Sequence, residues 1–243
     1  MLELYAQAFG AVEIDSTYYA IPKRSLFENM ARRTPADFRF CVKAPGSVTH
    51  APADGRPPDD DANAFADSIE PLVAARKLGA ILVQFPHSFR PDSGAQRRLS
   101  AMRRWWPDLP LVAEFRHRAW QHAETEDLLR DLGIGLCNVD EPRLSTLMRP
   151  GAEVTSPIGY VRFHGRNSAQ WWRQDRTPGA RYDYLYREEE LVEWLPRISE
   201  IESQTRETYV FFNNHRLGKA ARNASEMSRM LGVGRGPRQE RLF

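Results

Sequence analysis

Tyr160-Val-Arg162-Phe-His164-Gly-Arg166 is a short run in which polar and apolar residues alternate. Successive side chains of a β-strand point to opposite faces, so Arg162 and His164 share one face and Phe163 takes the other. The same pattern recurs along the chain. Glu13 and Asp15 flank Ile14, Glu114 and Arg116 flank Phe115, and Asn138 and Asp140 flank Val139. Asn213 and His215 flank Asn214, where the intervening residue is itself polar. Lys43 and Gln84 end two further apolar runs. Strand after strand, polar pairs are predicted to point inward and their apolar neighbours outward.

Around these ends, β-rich runs are predicted at Val12–Tyr18, Phe38–Lys43, Ala80–Phe85, Leu111–Phe115, Ile134–Val139, Tyr160–Phe163 and Thr208–Phe212. Helical sequence falls between most of them, at Arg24–Arg33, Ala62–Leu78, Ala95–Trp106, Glu124–Leu132 and Glu188–Ser203, with Ala220–Leu231 after the last. Strands separated by helices need crossover connections, which means a parallel sheet. The first strand is followed by no Gly-x-Gly-x-x-Gly turn, which weighs against a nucleotide-binding doubly wound sheet. The fold predicted is therefore α/β, a parallel β/α barrel of the TIM type, whose functional face is formed by the C-terminal ends of the strands.

Composition agrees with a single folded unit. The chain has 243 residues, 42% of them hydrophobic, and a net charge of +2 from 34 basic and 32 acidic residues. A balance so near zero does not suggest a nucleic-acid coat protein, so any basic patch is local. The two cysteines, Cys41 and Cys137, lie in apolar strand sequence and read as small buried residues of a reducing compartment. There is neither an apolar run of membrane-spanning length nor a signal peptide, which makes the cytoplasm the expected location. Residues 1–231 are expected to form the barrel and residues 232–243, rich in Gly, Pro and Arg, a flexible tail. Ala51–Asp61, rich in Pro and Asp, is expected to be a mobile loop over the strand ends.

Val12-Glu-Ile-Asp-Ser-Thr-Tyr-Tyr and Thr34-Pro-Ala-Asp-Phe-Arg-Phe-Cys-Val-Lys-Ala-Pro are followed, in order, by Leu82-Val-Gln-Phe-Pro, Glu114-Phe-Arg-His, Tyr160-Val-Arg-Phe-His-Gly-Arg and Phe211-Phe-Asn-Asn-His. This series resembles the YecE-like family, known as domain of unknown function 72. The resemblance runs to about Leu231 and implies a β/α barrel of unknown activity, with no established catalytic residues to carry over. It also implies an opening strand with a Gly-x-Ser-Gly-Trp type motif. The present chain begins inside what would be the first helix, Leu2–Phe9, so its barrel is expected to lack that strand and to expose edges on both sides of the gap.

The groups gathered at the strand ends admit several chemistries. Glu13, Asp15, Glu114, Asp140, His164 and His215 would serve in acid–base work or in holding a divalent metal, which would activate water and clamp a phosphate. No tight metal-ligand spacing fixes that metal, so cofactors stay open. Lys43, Gln84, Arg116, Asn138, Arg162, Arg166 and Asn213 would hold the substrate, and the arginines favour an anion, because a guanidinium presents a planar fork to phosphate or carboxylate. The leading reading is a hydrolase acting on a phosphate-bearing substrate, with nucleic acid as one such substrate. Paired carboxylates also suit a glycosidase. After His164, the segment containing Trp171, Trp172, Tyr182, Tyr184 and Tyr186 interleaves aromatics with cations; these rings either stack on bases or pack against the rim.

The chain ends Gln239-Glu-Arg-Leu242-Phe243. Exposed Leu242 and Phe243 carry a solvation cost unless a pocket receives them, and with Gln239 they resemble the short peptide by which bacterial DNA-processing proteins dock on the sliding clamp. The alternative to an enzyme is thus a non-catalytic nucleic-acid or anion-binding module recruited to the clamp through this tail.

Overall fold

The predicted strands form one parallel sheet in strictly sequential order. The structure is a computed structural model that describes residues 1–50, 58–173, 179–214 and 216–233. Strands β1 (Ala11–Ile14), β2 (Arg39–Lys43), β3 (Leu78–Gln84), β4 (Leu111–Glu114), β5 (Ile134–Asp140), β6 (Ile158–Phe163) and β7 (Glu207–Phe212) alternate with helices. The helices are α1 (Leu2–Ala8), α2 (Arg24–Arg32), α3 (Gly46–Thr49), α4 (Pro58–Ala74), α5 (Ser93–Trp105), α6 (Ala123–Asp131), α7 (Ser168–Trp171), α8 (Glu188–Val192), α9 (Leu195–Gln204) and α10 (Lys219–Met230). Among the described residues no helix is long and apolar enough to cross a membrane.

The sheet curls into a nearly closed barrel, as contacts across its lumen show. Glu13 of β1 accepts hydrogen bonds from Tyr160 and Arg162 of β6. At the floor, a Cβ added to Gly79 of β3 would stand 2.8 Å from the Tyr209 ring of β7 and 3.1 Å from the Cys41 sulfur of β2. The ladder itself runs from β1 to β7 and does not join these two strands. Between them lies a cleft of about 980 Å³ lined by groups that include Phe9, Val12, Phe211, Met227 and Leu231. The gap expected from the family resemblance is thus present as an open seam.

Outward apolar residues pack under the helices. Val161 and Phe163 of β6 meet Tyr186, Leu191, Trp194 and Ile198 in one cluster, and a larger cluster covers β1 to β5. Burying these side chains is the main favourable term, at about 1.5–3 kcal/mol for each large apolar group. Stacked rings fix the loops after β3 and β4: Phe85 lies 4.1 Å from Phe89, Phe115 lies 4.2 Å from Trp120, and Trp120 Nε1 donates to the Phe89 carbonyl at 2.9 Å. Both cysteines are buried and free, in line with the sequence reading.

Several boundaries differ from the sequence reading, among them the helix expected at Ala62–Leu78, which ends at Ala74 while Leu78 opens β3; three have a local reason. The first strand stops at Ile14, because Thr17 Oγ1 donates to the carbonyls of Ile14 and Lys43 and winds Ser16–Tyr18 into a 3-10 turn. The expected helix 188–203 is broken near Trp194, since Pro196 lacks a backbone N–H and fits only the first turn of a new helix, α9. Of the loop expected at 51–61, Pro58–Asp61 opens α4, where Asp59, Asp60 and Asp61 face the positive end of the helix dipole. Residues 51–57 lie outside the described residues.

Candidate functional site

Strand register decides which side chains enter the lumen, because residues paired across parallel strands share a face. Glu13 pairs with Cys41, Lys43 with Leu82, and Gln84 with Glu114, so Glu13, Lys43, Gln84 and Glu114 all point inward. Arg162 follows Tyr160 on the inner face of β6 and grips Glu13 and Glu114 together, its Nη1 lying 2.5 Å from Glu114 Oε2. Arg116, two residues beyond Glu114, forms an ion pair with it, Nε lying 2.6 Å from Glu114 Oε1, and faces Glu141 Oε2 at 3.5 Å. His164 closes the cluster. Its Nε2 lies 3.1 Å from Glu114 Oε1 and its Nδ1 lies 3.3 Å from Asn213 Nδ2. An amide N–H only donates, so Nδ1 accepts and Nε2 carries the proton that faces Glu114. Asp15 lies at the opening, 3.4 Å from Arg162 and 3.9 Å from Lys43.

This network is buried and unbalanced. Glu13, Glu114 and Glu141 are three carboxyl groups around two guanidiniums, Arg116 and Arg162. Burial alone would raise Glu114, but Arg116, Arg162 and His164 surround it and hold it well below the usual carboxylate range. Burial pushes Glu13 up to about 7 despite Arg162, and Glu141 up to about 8 despite Arg116. Glu141 Oε1 accepts from the Met148 N–H at 2.9 Å, whereas its buried Oε2 has no hydrogen-bond partner among the described residues. Burial and the nearby Arg116 lower His164 to about 3, so this imidazole is neutral at ordinary pH. Near neutrality the carboxyl in excess of the guanidiniums therefore holds a proton, and the titrations of Glu13 and Glu141 belong to the network as a whole.

Three expected site residues lie elsewhere. In β5, Cys137 and Val139 pair with Tyr160 and Arg162, while Asn138 and Asp140 pair with the outward Val161 and Phe163. The inner face of β5 is thus the reverse of the one expected from its polar residues. Asn138 instead bonds both backbone groups of Glu153, at 2.9 and 3.1 Å. Asp140 receives Arg166 Nε at 2.9 Å, the Tyr186 hydroxyl at 2.7 Å and Trp194 Nε1 at 2.7 Å. Arg166, expected to hold substrate, is this carboxylate's counter-ion and also reaches Glu193. Asn138, Asp140 and Arg166 all lie behind the barrel wall. His215, Gln239, Leu242 and Phe243 lie outside the described residues.

Other groups at the mouth were not singled out by the sequence. Glu141 was hidden by the wrong strand phase. His50 and His87 sit in loops that follow β2 and β3 and carry no motif, and His117, after β4, ends the run Glu114-Phe-Arg-His without having been given a role. All three are lowered by burial first. Lys43 and Arg98 add to this at His50, Arg90 and His117 at His87, and Arg90 at His117. The half-exposed Trp172 reaches across the mouth to His87, with ring centroids 4.7 Å apart. Trp171, Tyr184 and Tyr186 are packed residues, whereas Tyr182 stands 6.1 Å from His164. The rim thus sets histidines and aromatic rings beside Arg90 and Arg98.

A resident metal does not suit these donors. Among the described residues no three His, Cys, Asp or Glu side chains converge as cation ligands. Glu13 and Glu114 direct their oxygens to Arg162, Arg116, Tyr160 and His164 instead.

Comparison with known proteins places this geometry. The profile described as "Protein of unknown function DUF72" matches residues 1–241. The chain is 31% identical to UPF0759 protein YunF of Bacillus subtilis over 266 aligned residues, covering 100% of this chain and 91% of that protein. It is 36% identical to UPF0759 protein YecE of Escherichia coli K12 over 109 residues, 45% of this chain and 37% of the other. A crystal structure of a DUF72 family protein from Thermotoga maritima is 41% identical, with a TM-score of 0.84 over 92% of this chain and 85% of that one. Another, from Enterococcus faecalis, is 29% identical with a TM-score of 0.89 over 98% of this chain and 92% of that one.

Proposed function

Since this chain belongs to the DUF72 family, whose function is unknown, we propose from its own geometry that the barrel mouth is the active site of a hydrolase acting on a small phosphate-bearing substrate by general-acid catalysis. The observation that carries this reading is the charge imbalance of the lumen: three carboxyl groups around two guanidiniums, with Glu141 at about 8 and Glu13 at about 7. A carboxylic acid still protonated near neutral pH is suited to protonating a leaving oxygen, a contribution of roughly 10²–10⁴-fold. Arg116 would hold the phosphate, and Asp15, Lys43, Gln84 and Asn213 would complete its surroundings. Arg90 and Arg98, beside the rim histidines, would supply the attracting field.

A panel of aryl phosphomonoesters and phosphodiesters tests this. Turnover is expected, falling as pH rises through about 8 as Glu141 loses its proton, and Glu141→Gln should lose most of it while folding normally. Tight phosphate binding without turnover, unchanged in Glu141→Gln, would favour the non-catalytic binding module. Absence of both binding and turnover would end both readings. The tail reading rests on Gln239, Leu242 and Phe243 alone; removal of Leu242 and Phe243 should abolish capture by an immobilised sliding clamp, and a full-length chain that is never captured would refute it.

A further inference from the structure

We propose that Lys43 is a nucleophile that forms an imine with the carbonyl group of an aldehyde or ketone bound in the barrel mouth. The reading of the mouth as an anion site then narrows the substrate to a phosphate-bearing carbonyl compound, and only that narrowing rests on the proposed function.

The choice of residue is the first support. The chain has four lysines, Lys23, Lys43, Lys77 and Lys219, and thirty arginines. Where only positive charge is needed, this sequence overwhelmingly uses arginine, which keeps its proton; a lysine can lose its proton and attack a carbon.

Geometry is the second support. Lys43 ends β2 on the inner face, and its carbonyl is pinned by Thr17 Oγ1 at 2.6 Å. Its side chain is 14% exposed and lines the cleft together with Glu13, Asp15, Gln84 and Asn213. Its Nζ lies 3.9 Å from Asp15 Oδ1, beyond hydrogen-bond length, and 4.6 Å from the centre of the Tyr18 ring. The other lysines are placed differently. Lys77 Nζ donates to Ala31 O, Thr34 O and Thr34 Oγ1, Lys219 is paired with Asp183, and Lys23 is exposed.

The surroundings lower the cost of losing the proton. Burial acts first, and the guanidiniums of Arg162 and Arg116 add to it. Asp15 and Glu114 oppose them, and His50 faces Lys43 from beyond α3. The net direction is downward from an ordinary lysine. In the step itself, the neutral Nζ attacks the carbonyl carbon and the C=O electron pair moves to oxygen. Asp15 receives a proton from the nitrogen and returns it to that oxygen. A second proton passes from the nitrogen to the resulting hydroxyl through the same carboxylate, so water leaves and the C=N bond forms, with no change in oxidation state.

Reductive trapping tests this on the intact chain. The protein is incubated with glyceraldehyde 3-phosphate or with unphosphorylated glyceraldehyde in the presence of cyanoborohydride, which delivers hydride to the imine carbon, and the labelled lysines are mapped by peptide mass spectrometry. Lys43 is expected to be labelled at least tenfold faster than Lys23 and Lys219, and faster by the phosphorylated probe. Its rate should persist at a pH where that of Lys23 has fallen. Lys43→Arg should lose this label and keep the melting curve. Equal labelling of Lys43 by both probes would sustain the imine and refute the phosphate site. Labelling of Lys43 no faster than Lys23 by either probe would overturn the inference, and phosphoester turnover in the same preparation would then leave the proposed function standing.

Discussion

Two buried charge clusters lie back to back across the wall formed by β5 and β6. Outside, Asp140 is held by Arg166, Tyr186 and Trp194. Inside, Glu13, Glu114 and Glu141 surround Arg116 and Arg162. The outer cluster is closed by hydrogen bonds: the Asp140 oxygens accept from a guanidinium, a phenol and an indole, and the same guanidinium meets Glu190 and Glu193. It fastens the segment after β6 to the helices outside. The inner cluster has one carboxyl too many, an oxygen of Glu141 without a hydrogen-bond partner among the described residues, and an opening at Asp15 and Lys43. Burial of charge is common to both, so burial is not what marks a site. The difference is whether the charges close upon themselves.

Removing the central acid separates the two most sharply. Asp140→Ala leaves the Tyr186 hydroxyl and Trp194 Nε1 without their acceptor and Arg166 with only Glu190 and the half-exposed Glu193, and breaking a buried pair in this way costs about 3–5 kcal/mol. Urea unfolding should show that loss, with little change in phosphate binding per folded molecule. A stability loss below about 1 kcal/mol would mean that the outer cluster is not the structural one.

The next effect is a dependence on pH. Glu141 is raised from an ordinary 4.5 to about 8, so between those values the native state holds a proton that the unfolded chain has released. Its contribution to stability therefore falls as pH rises through that window, and Glu13 acts in the same sense up to about 7. His164 has the opposite sign: lowered to about 3, it makes stability decline as pH falls from 6.5. Glu141→Gln should remove its share of the alkaline decline. The variant should gain a few kcal/mol relative to the natural chain between pH 5 and pH 8.5, since one pKa unit is worth about 1.4 kcal/mol. If the stability difference between the two proteins is the same at both pH values, Glu141 is not the protonated acid.

The sequence made the barrel legible because alternation and strand–helix order are local signals. Glu13, Glu114, Arg162 and His164 were legible for the same reason: each is a polar residue on the inner face of a strand whose outer face is apolar. In β5 the signal failed. Every residue from Ile134 to Asp140 is buried, so neither face announces itself, and the phase is set by register with β6. Polar Asn138 and Asp140 look like lumen residues until Tyr160 and Arg162 fix Cys137 and Val139 as the inner pair. Glu141 disappears behind the same error. The rim histidines were illegible for another reason, since loops carry no period and His87 and His117 meet only because stacked Phe85, Phe89, Phe115 and Trp120 bring their loops together.

The smallest expected effect tests that phase directly, with two asparagines first expected to share a role. Asn138 imitates a strand partner for Glu153 behind the wall, so Asn138→Ala loses two ordinary hydrogen bonds, about 1–2 kcal/mol of stability, and leaves phosphate binding intact. Asn213 reaches His164 from inside the lumen, so Asn213→Ala should cost less stability and act on the ring instead. Nitrogen NMR of His164 reads this out. In the natural chain the ring should be the neutral Nε2–H form throughout pH 5–8, because its titration lies near 3. In Asn213→Ala, Nδ1 loses its donor, and the Nδ1 signal should shift while that of Nε2, held against Glu114, stays. The same shift from Asn138→Ala would mean that both asparagines face one cavity, and the distinction between the two sides of the wall would fail.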